Sequence, residues 1–420
     1  MFLQRTGEAG GLSRRGMLGL TAATLAGCAT ARPGGLSWWA ISTQGEQAPL
    51  LLPAFTAASG IAVDVQALPW TAAHEKILTA YAGGSLPDVL MVANSWLAEL
   101  TMLGALAPVP ADLAAGLLPA AQAAASVAGV LRGVPWIIDG QVQYYRRALL
   151  AAVGYDAPPA DWAGWKAMAH ALKRRRPDDF ALLAPLDWPE VLMAFGGQQA
   201  EPLLRDRETR GNFSSAGFRT ALAFYVSLFA EGLAPATLYA QVGDAESAFG
   251  RGTFAILPGS AYVVGDLALR PVEVPRASWA VAPMPGIGGP APALIDGSTL
   301  VVTSHARDPA AAWALVRYLT APATQGRLHG MTGDLPTRAL AWAGRLGRDP
   351  VASVFASQFA RGVAPPAVPE WARIVTEVQA IAERCVRGEF GIDAATRAMD
   401  TRVNGLLAKR RWLLDRGRLA

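Results

Sequence analysis

Short apolar runs alternate with stretches of helical period along most of the chain. Leu36 to Ile41 is a strand rich in tryptophan. Ala48 to Ser59 reads as a helix that ends at Gly60, and Ile61 to Val65 alternates like a second strand. Thr71 is placed to cap a helix over Ala72 to Tyr81, with Glu75 in its first turn and Gly83-Gly84 as its stop. Pro87-Asp88 leads into a buried strand, Val89 to Val92, and a helix from Trp96 to Leu103 follows. Further along, Val142 to Tyr145 is a strand leaving this first unit. Helices are expected over Trp162 to Arg175, Trp188 to Phe195, Ala216 to Ala230 and Ala310 to Leu319. Thr253 to Leu257, Trp279 to Met284 and Ser298 to Thr303 are further strands, and Trp371 to Leu406 is a helical tail. The repeating strand–helix order predicts an α/β fold with a mostly parallel, doubly wound sheet.

Composition narrows the class. The 420 residues are 52% hydrophobic and 17% charged, enough for sizeable cores and too apolar for disorder. The net charge is +4, carried by arginine, since only Lys76, Lys166, Lys173 and Lys409 are lysines. No basic face interleaved with aromatics is visible, which argues against nucleic acid. Residues 1–35 read as a targeting segment and tether. Arg14-Arg15 precede an apolar stretch, Met17 to Ala26, that falls short of the roughly 20 residues needed to span a bilayer. The paired arginines resemble a twin-arginine signal, and Leu25-Ala26-Gly27-Cys28 resembles a lipobox, making Cys28 a lipidation candidate that would anchor the chain to a membrane. The alternative is an ordinary cleaved signal. If Cys28 is lipidated, the second cysteine, Cys385, has no disulfide partner.

Several chemistries lack their motifs. His74, His170, His305 and His329 are scattered without zinc spacing, and no phosphate loop or nucleophile elbow occurs. Gly286-Ile287-Gly288-Gly289 opens no helix and reads as a loop. Asp187 and Glu190 form a carboxylate pair that spacing alone cannot turn into a glycosidase site. No metal and no cofactor are expected.

From Leu68-Pro69-Trp70 to Ala80 the chain resembles a known family, the family 1 extracellular solute-binding proteins, maltose-binding-like sugar receptors of bacterial ABC importers. The likeness continues at Gly84 to Val89, Asn94-Ser95-Trp96, Gly133 to Asp139, Tyr144-Tyr145-Arg146, Ala248 to Ile256, Gly297 to Val301, Gly333 to Arg338 and Val368 to Ile374. The resemblance implies a two-lobed periplasmic-binding-protein fold with a hinge and an interlobe ligand cleft. By that analogy one lobe holds 36–144 plus 302–342 and the other 145–301 plus 343–420. It also implies a monomer that delivers a mono- or oligosaccharide to membrane permease subunits.

A sugar presents hydroxyls at its edge and C–H groups on its faces. Its site needs flat aromatics together with carboxylates, amides or guanidinium groups. The aromatic candidates are Trp70, Trp96, Trp136, Tyr262 and Trp371, each expected just after a strand or at a helix start. The polar candidates are Asn94, Asp139, Glu370 and Arg373, followed by His74, Glu75 and Ser298. Glu370 and Arg373 are also spaced to pair with each other. Where relatives have Gly-Pro-Trp-Asn, this chain has Gly259-Ser260-Ala261-Tyr262, a smaller aromatic and no amide. Tyr144-Tyr145 echo the tyrosine pair of ferric-binding proteins, but an alternating strand turns the two rings to opposite faces. Competing readings are an exported carbohydrate-active enzyme, or the same fold binding a glycerophosphodiester or a polyamine. A polyamine would want a cleft rich in acids, which these candidates do not supply.

Overall fold

The computed structural model describes residues 35–418. The expected export segment, with Arg14, Arg15 and Cys28, lies outside the described residues.

Two sheets organise the chain. The first has six strands in the order Leu335–Pro336, Val134–Gly140, Ile295–Val302, Val89–Ala93, Leu36–Ile41, Val63–Leu68. Leu36–Ile41 runs parallel to both its neighbours, but Ile295–Val302 is antiparallel to Val89–Ala93 and to Val134–Gly140. The sheet is therefore mixed, parallel only where strand–helix–strand units built it. The second sheet has four strands in the order Trp279–Pro283, Val142–Arg146, Phe254–Gly259, Phe180–Leu182.

The chain passes between the sheets at Gln141, again over 284–294, and a third time after Leu335–Pro336 toward the helix Pro350–Phe359, which packs on the second sheet. These crossings correct the expected boundaries. Val142–Arg146 pairs entirely within the second sheet, and Ile295–Val302 entirely within the first. Sequence alone could not tell that one apolar run changes sheets at a single residue.

Each lobe has its own core. Trp38, Ile41, Leu90, Trp136, Val301 and Leu315 are buried together in the first. Trp165, Phe195, Tyr225, Trp371, Val378 and Met399 are buried together in the second. Tyr144 and Tyr145 do point into different clusters, as the alternation required. Cys385 is buried in the second core, where its Sγ donates to the Phe390 carbonyl at 3.3 Å.

Local chemistry explains the element ends. Asp161, Ser215 and Asp308 each accept a backbone N–H at the start of the helices Trp162–Arg175, Ala216–Ala230 and Pro309–Leu319. Thr71 is not a cap. The helix spans Trp70–Ala82 behind Pro69, whose fixed φ suits a helix entry, so Glu75 lies beyond the first turn. The first helix also starts earlier than expected, at Ser42 with φ 49°, turning the chain back directly after the first strand. A Cβ on Gly45 would stand 2.8 Å from the Ala40 carbonyl oxygen, so only glycine permits that tight return.

Asp88 ties the first lobe together. Its carboxylate accepts from the Ser37 N–H and hydroxyl, each at 2.8 Å, and from the Arg307 guanidinium at 2.9 Å. Burial alone would raise its pKa, but the Arg307 and Ser37 hydrogen bonds outweigh burial and hold it at about 2.

Candidate functional site

Strand register places one edge of each sheet along a common cleft. In the first sheet the parallel strands end at Ile41, Leu68 and Ala93. Ser298 pairs with Ala93, Asp296 with Asp139, and Leu335 with Ile138. The residues beyond these points therefore share an edge: Gln44, Trp70, Asn94, Asp139, Asp296 and Asp334. In the second sheet Val142 pairs with Gly259 and with Pro283, so Ser260, Ala261 and Tyr262 emerge at the facing edge. Phe180–Leu182, parallel to Phe254–Gly259, sends the 183–190 segment to the same side. Open α/β sheets bind ligands beyond such strand ends.

The aromatic floor of the first lobe is a stack. Trp70, at the first position of its helix, is 52% exposed. Its ring centroid lies 5.6 Å from that of buried Trp96, and the His74 ring stacks on Trp96 at 4.8 Å. His74 Nε2 meets Glu99 Oε2 at 2.8 Å, which fixes the imidazole. On the second lobe Trp188 and Tyr239 pair at 5.2 Å, and the Tyr239 N–H donates to Asp187.

Carboxylates stand at the same strand edges. Asp139 accepts from the N–H of Gly140 at 2.8 Å and from the N–H of Ala261, on the second lobe, at 3.2 Å. Its pKa is pushed up to about 7, chiefly by burial, with Asp334 adding repulsion and the two N–H groups only partly offsetting it. Glu190, from the second lobe, is also pushed up to about 7, first by burial and then by Asp296, Asp139 and Asp187. Asp296 is exposed to water, and crowding protein raises its pKa while the Gly297 N–H offsets part of that. Asp334 is raised by burial and accepts from the Gln44 amide at 2.7 Å. Beside Asp139, the Tyr262 phenol is raised by burial and by that carboxylate's charge.

The expected residues divide. Trp70, His74, Asn94, Asp139, Tyr262 and Ser298 reach the shared edge. Asn94 and Ser298 are largely buried, and the Asn94 side-chain oxygen accepts the Thr299 hydroxyl at 2.7 Å. Trp96 supports Trp70 from beneath and is itself 7% exposed. Trp136 is a correction: it sits inside a strand, fully buried edge-on against Trp38, with its Nε1 donating to the Leu319 carbonyl. Trp371 is a second: it starts its helix, as expected, but only 4% is exposed and its ring belongs to the second core. Glu75 is exposed on its helix. Arg373 pairs with Glu377 at 3.6 Å rather than with Glu370, whose buried Oε2 has no hydrogen-bond partner.

Sequence reasoning passed over Gln44, Trp188, Tyr239, Asp296 and Asp334, and set Glu190 aside. Asp296 and Asp334 stand directly beside the glycine-led runs Gly297–Val301 and Gly333–Arg338, which was the available signal. Among the described residues, no group of three or more His, Cys, Asp or Glu side chains is arranged to hold a metal ion. No helix among them is long and apolar enough to cross a membrane.

This two-lobed architecture with an edge-built cleft has relatives. The chain belongs to the bacterial extracellular solute-binding proteins, whose family model matches residues 39–326. It is 38% identical to the sugar-binding protein MalE of Xanthomonas citri, covering 91% of this chain and 99% of that one with a TM-score of 0.85. The GacH receptor of Streptomyces glaucescens shares the fold at 22% identity and a TM-score of 0.80, over 89% of this chain and 98% of that one. A Deinococcus radiodurans chain described as a probable ABC transporter-binding protein is 28% identical over 230 residues, 51% of this chain and 53% of its own. The family is one of extracellular solute-binding proteins, and these relatives are described as binding proteins or a receptor.

Proposed function

We propose that this chain captures a sugar, from a single ring to an oligosaccharide, between its lobes and delivers it to the permease of an ABC importer, without chemistry of its own. The observation that carries the reading is the pairing of an exposed aromatic stack, Trp70 over Trp96, with hydroxyl partners at one strand edge, in a chain similar throughout to a sugar-binding MalE. Trp70 and Tyr262 cover ring faces; Asn94, Asp139, Ser298 and Glu370, joined by Gln44, Glu190 and Asp296, pair hydroxyls. One lobe comprises 36–140 plus 295–336, and the other 142–294 plus 350–418. Closure of the lobes over the ligand creates the surface that docks on the permease. Lipid on Cys28 tethers the monomer to the membrane.

The gathered acids favour one second reading, a polyamine in the same cleft. A thermal-shift titration with mono- and oligosaccharides beside spermidine separates the two. A ligand that binds only the native state raises the melting temperature by mass action. A shift with sugars supports the proposal; a shift with spermidine alone replaces it. Incubation with oligosaccharides tests the absence of chemistry, and product formation would make the chain an enzyme.

A further inference from the structure

The cations of this chain are not spread evenly. Residues 408–418 hold five of them, Lys409, Arg410, Arg411, Arg416 and Arg418, against one acid, Asp415, although the whole chain has a net charge of only +4. Along the sequence, Trp412, Leu413 and Leu414 interrupt the basic residues. The helix Ala408–Asp415 regroups them. Lys409, Trp412 and Arg416 recur at helical spacing, and all three are exposed. Contacts on the inner side hold the helix in place. Leu407, just before it, is buried in the second core. The Arg411 guanidinium donates to the Thr209 carbonyl at 3.1 Å, and Arg410 meets Glu208 at 3.6 Å.

The outer cations have no such engagement. Lys409, Arg416 and Arg418 take part in no ion pair among the described residues, and neither does Arg207, exposed on the hairpin that Arg410 and Arg411 touch. The Arg416 and Arg418 guanidinium carbons lie 4.3 Å and 5.8 Å from the centre of the Trp412 ring, and that indole is itself 45% exposed. Stacking occupies the face of a guanidinium and leaves the N–H groups at its rim free, in the fork that meets phosphate oxygens. Solvation alone accounts for the cations but not for the indole, whose apolar body and N–H tip suit the boundary between water and lipid. We propose that this face of the second lobe docks on an anionic lipid surface, with the arginines on headgroup phosphates and the Trp412 ring at headgroup depth. The helix lies on such a surface and does not cross it. An acidic polypeptide would match the charges; the exposed indole favours lipid.

The test is co-sedimentation of the purified protein, carrying Cys28→Ser so that no attached lipid contributes, with vesicles of phosphatidylcholine alone or mixed with phosphatidylglycerol. Tight binding is expected only to the mixed vesicles, and it should weaken as salt rises. Each basic side chain close to an anionic surface is worth roughly fivefold, so Arg416→Gln combined with Arg418→Gln should lower binding roughly 25-fold. Trp412→Ala should lower it too. These positions are exposed, so the variants should keep the parent melting temperature, which separates lost docking from lost fold. All variants share the segment before residue 35, so a difference between them reads this face alone. Equal binding to the two kinds of vesicle, or binding that the double arginine variant leaves unchanged, overturns the inference. Binding to polyglutamate but not to the mixed vesicles overturns it in favour of an acidic polypeptide.

Discussion

Asp139 and Asp296 stand directly opposite each other on neighbouring antiparallel strands, both at the edge where the first sheet meets the cleft. Asp139 also reaches across to accept from the Ala261 N–H of the other lobe. The first sheet thus carries a like-charge pair at the place where the two lobes meet.

One consequence is a distinctive pH dependence of the ligand-free protein. Asp139 and Glu190 are pushed up to about 7 and exposed Asp296 is raised in the same direction, while unfolded carboxylates titrate near 4. All three hold protons more tightly when folded, so their stabilising contribution is complete below about pH 4 and is lost as pH rises through about 7. Asp334 and Asp187 are the other carboxylates facing this group and reinforce the trend. Asp88, held at about 2, acts oppositely: its contribution is present above about pH 4 and lost as pH falls through 2. Melting temperature should therefore be higher near pH 5 than at pH 8. A rise from 5 to 8 would contradict the charge arrangement.

Neutralising one member should relieve the strain. Asp296→Asn is expected to stabilise the ligand-free protein at pH 8 by about 0.2–1 kcal/mol, the scale of a directly opposed pair. At pH 5, where protonation has already removed the repulsion, the gain should fall toward zero. Chemical denaturation at the two pH values measures the difference.

Asp88→Ala should do the reverse. It strips a buried acceptor from the Ser37 N–H and hydroxyl and from the Arg307 guanidinium, which is 56% exposed and turns to water. A loss of about 1–3 kcal/mol is expected, read as a lower denaturation midpoint. A loss below about 1 kcal/mol would show that water replaces the carboxylate freely.

Gly265 and Gly333 govern how closely the lobes approach, since a Cβ on Gly333 would stand 2.8 Å from the Gly265 nitrogen. A Cβ on Gly265, in the second-lobe helix Tyr262–Ala268, would lie 2.3 Å from the Thr332 carbonyl oxygen of the first lobe. Gly265→Ala must push these elements apart. The overpacking should cost about 1–3 kcal/mol and weaken ligand affinity together with stability. Unchanged affinity would mean that this contact does not take part in closure.

Much of the scaffold was legible because local rules agree. Trp162–Arg175 and Ala216–Ala230 have helical periodicity and side-chain caps at Asp161 and Ser215, so their ends could be read from sequence. Leu36–Ile41 is an apolar run bounded by Gly35 and by the turn at Ser42. The mixed direction of the first sheet was not legible, since pairing of Ile295–Val302 with Val89–Ala93 depends on how distant segments meet. The site followed the same division. Trp70 could be singled out because it stands at a helix start, flanked by polar residues, in a stretch that resembles the family. Asp296 could not, because only register sets it opposite Asp139. Trp136 misled because a tryptophan in an apolar run looks alike whether it faces a cleft or, as here, Trp38 in the core.

The central claim is that a sugar binds in the cleft against Trp70. The most direct measurement is calorimetric titration of the protein and of Trp70→Ala with the sugar giving the largest thermal shift. Trp70 is 52% exposed, so its loss should leave stability within about 0.5 kcal/mol. Affinity should fall roughly 2- to 12-fold, the worth of one aromatic contact of about 0.5–1.5 kcal/mol. Trp412→Ala, at an exposed ring on the far C-terminal helix Ala408–Asp415, should bind like the unaltered chain. Sugar binding that Trp70→Ala leaves untouched would contradict the account.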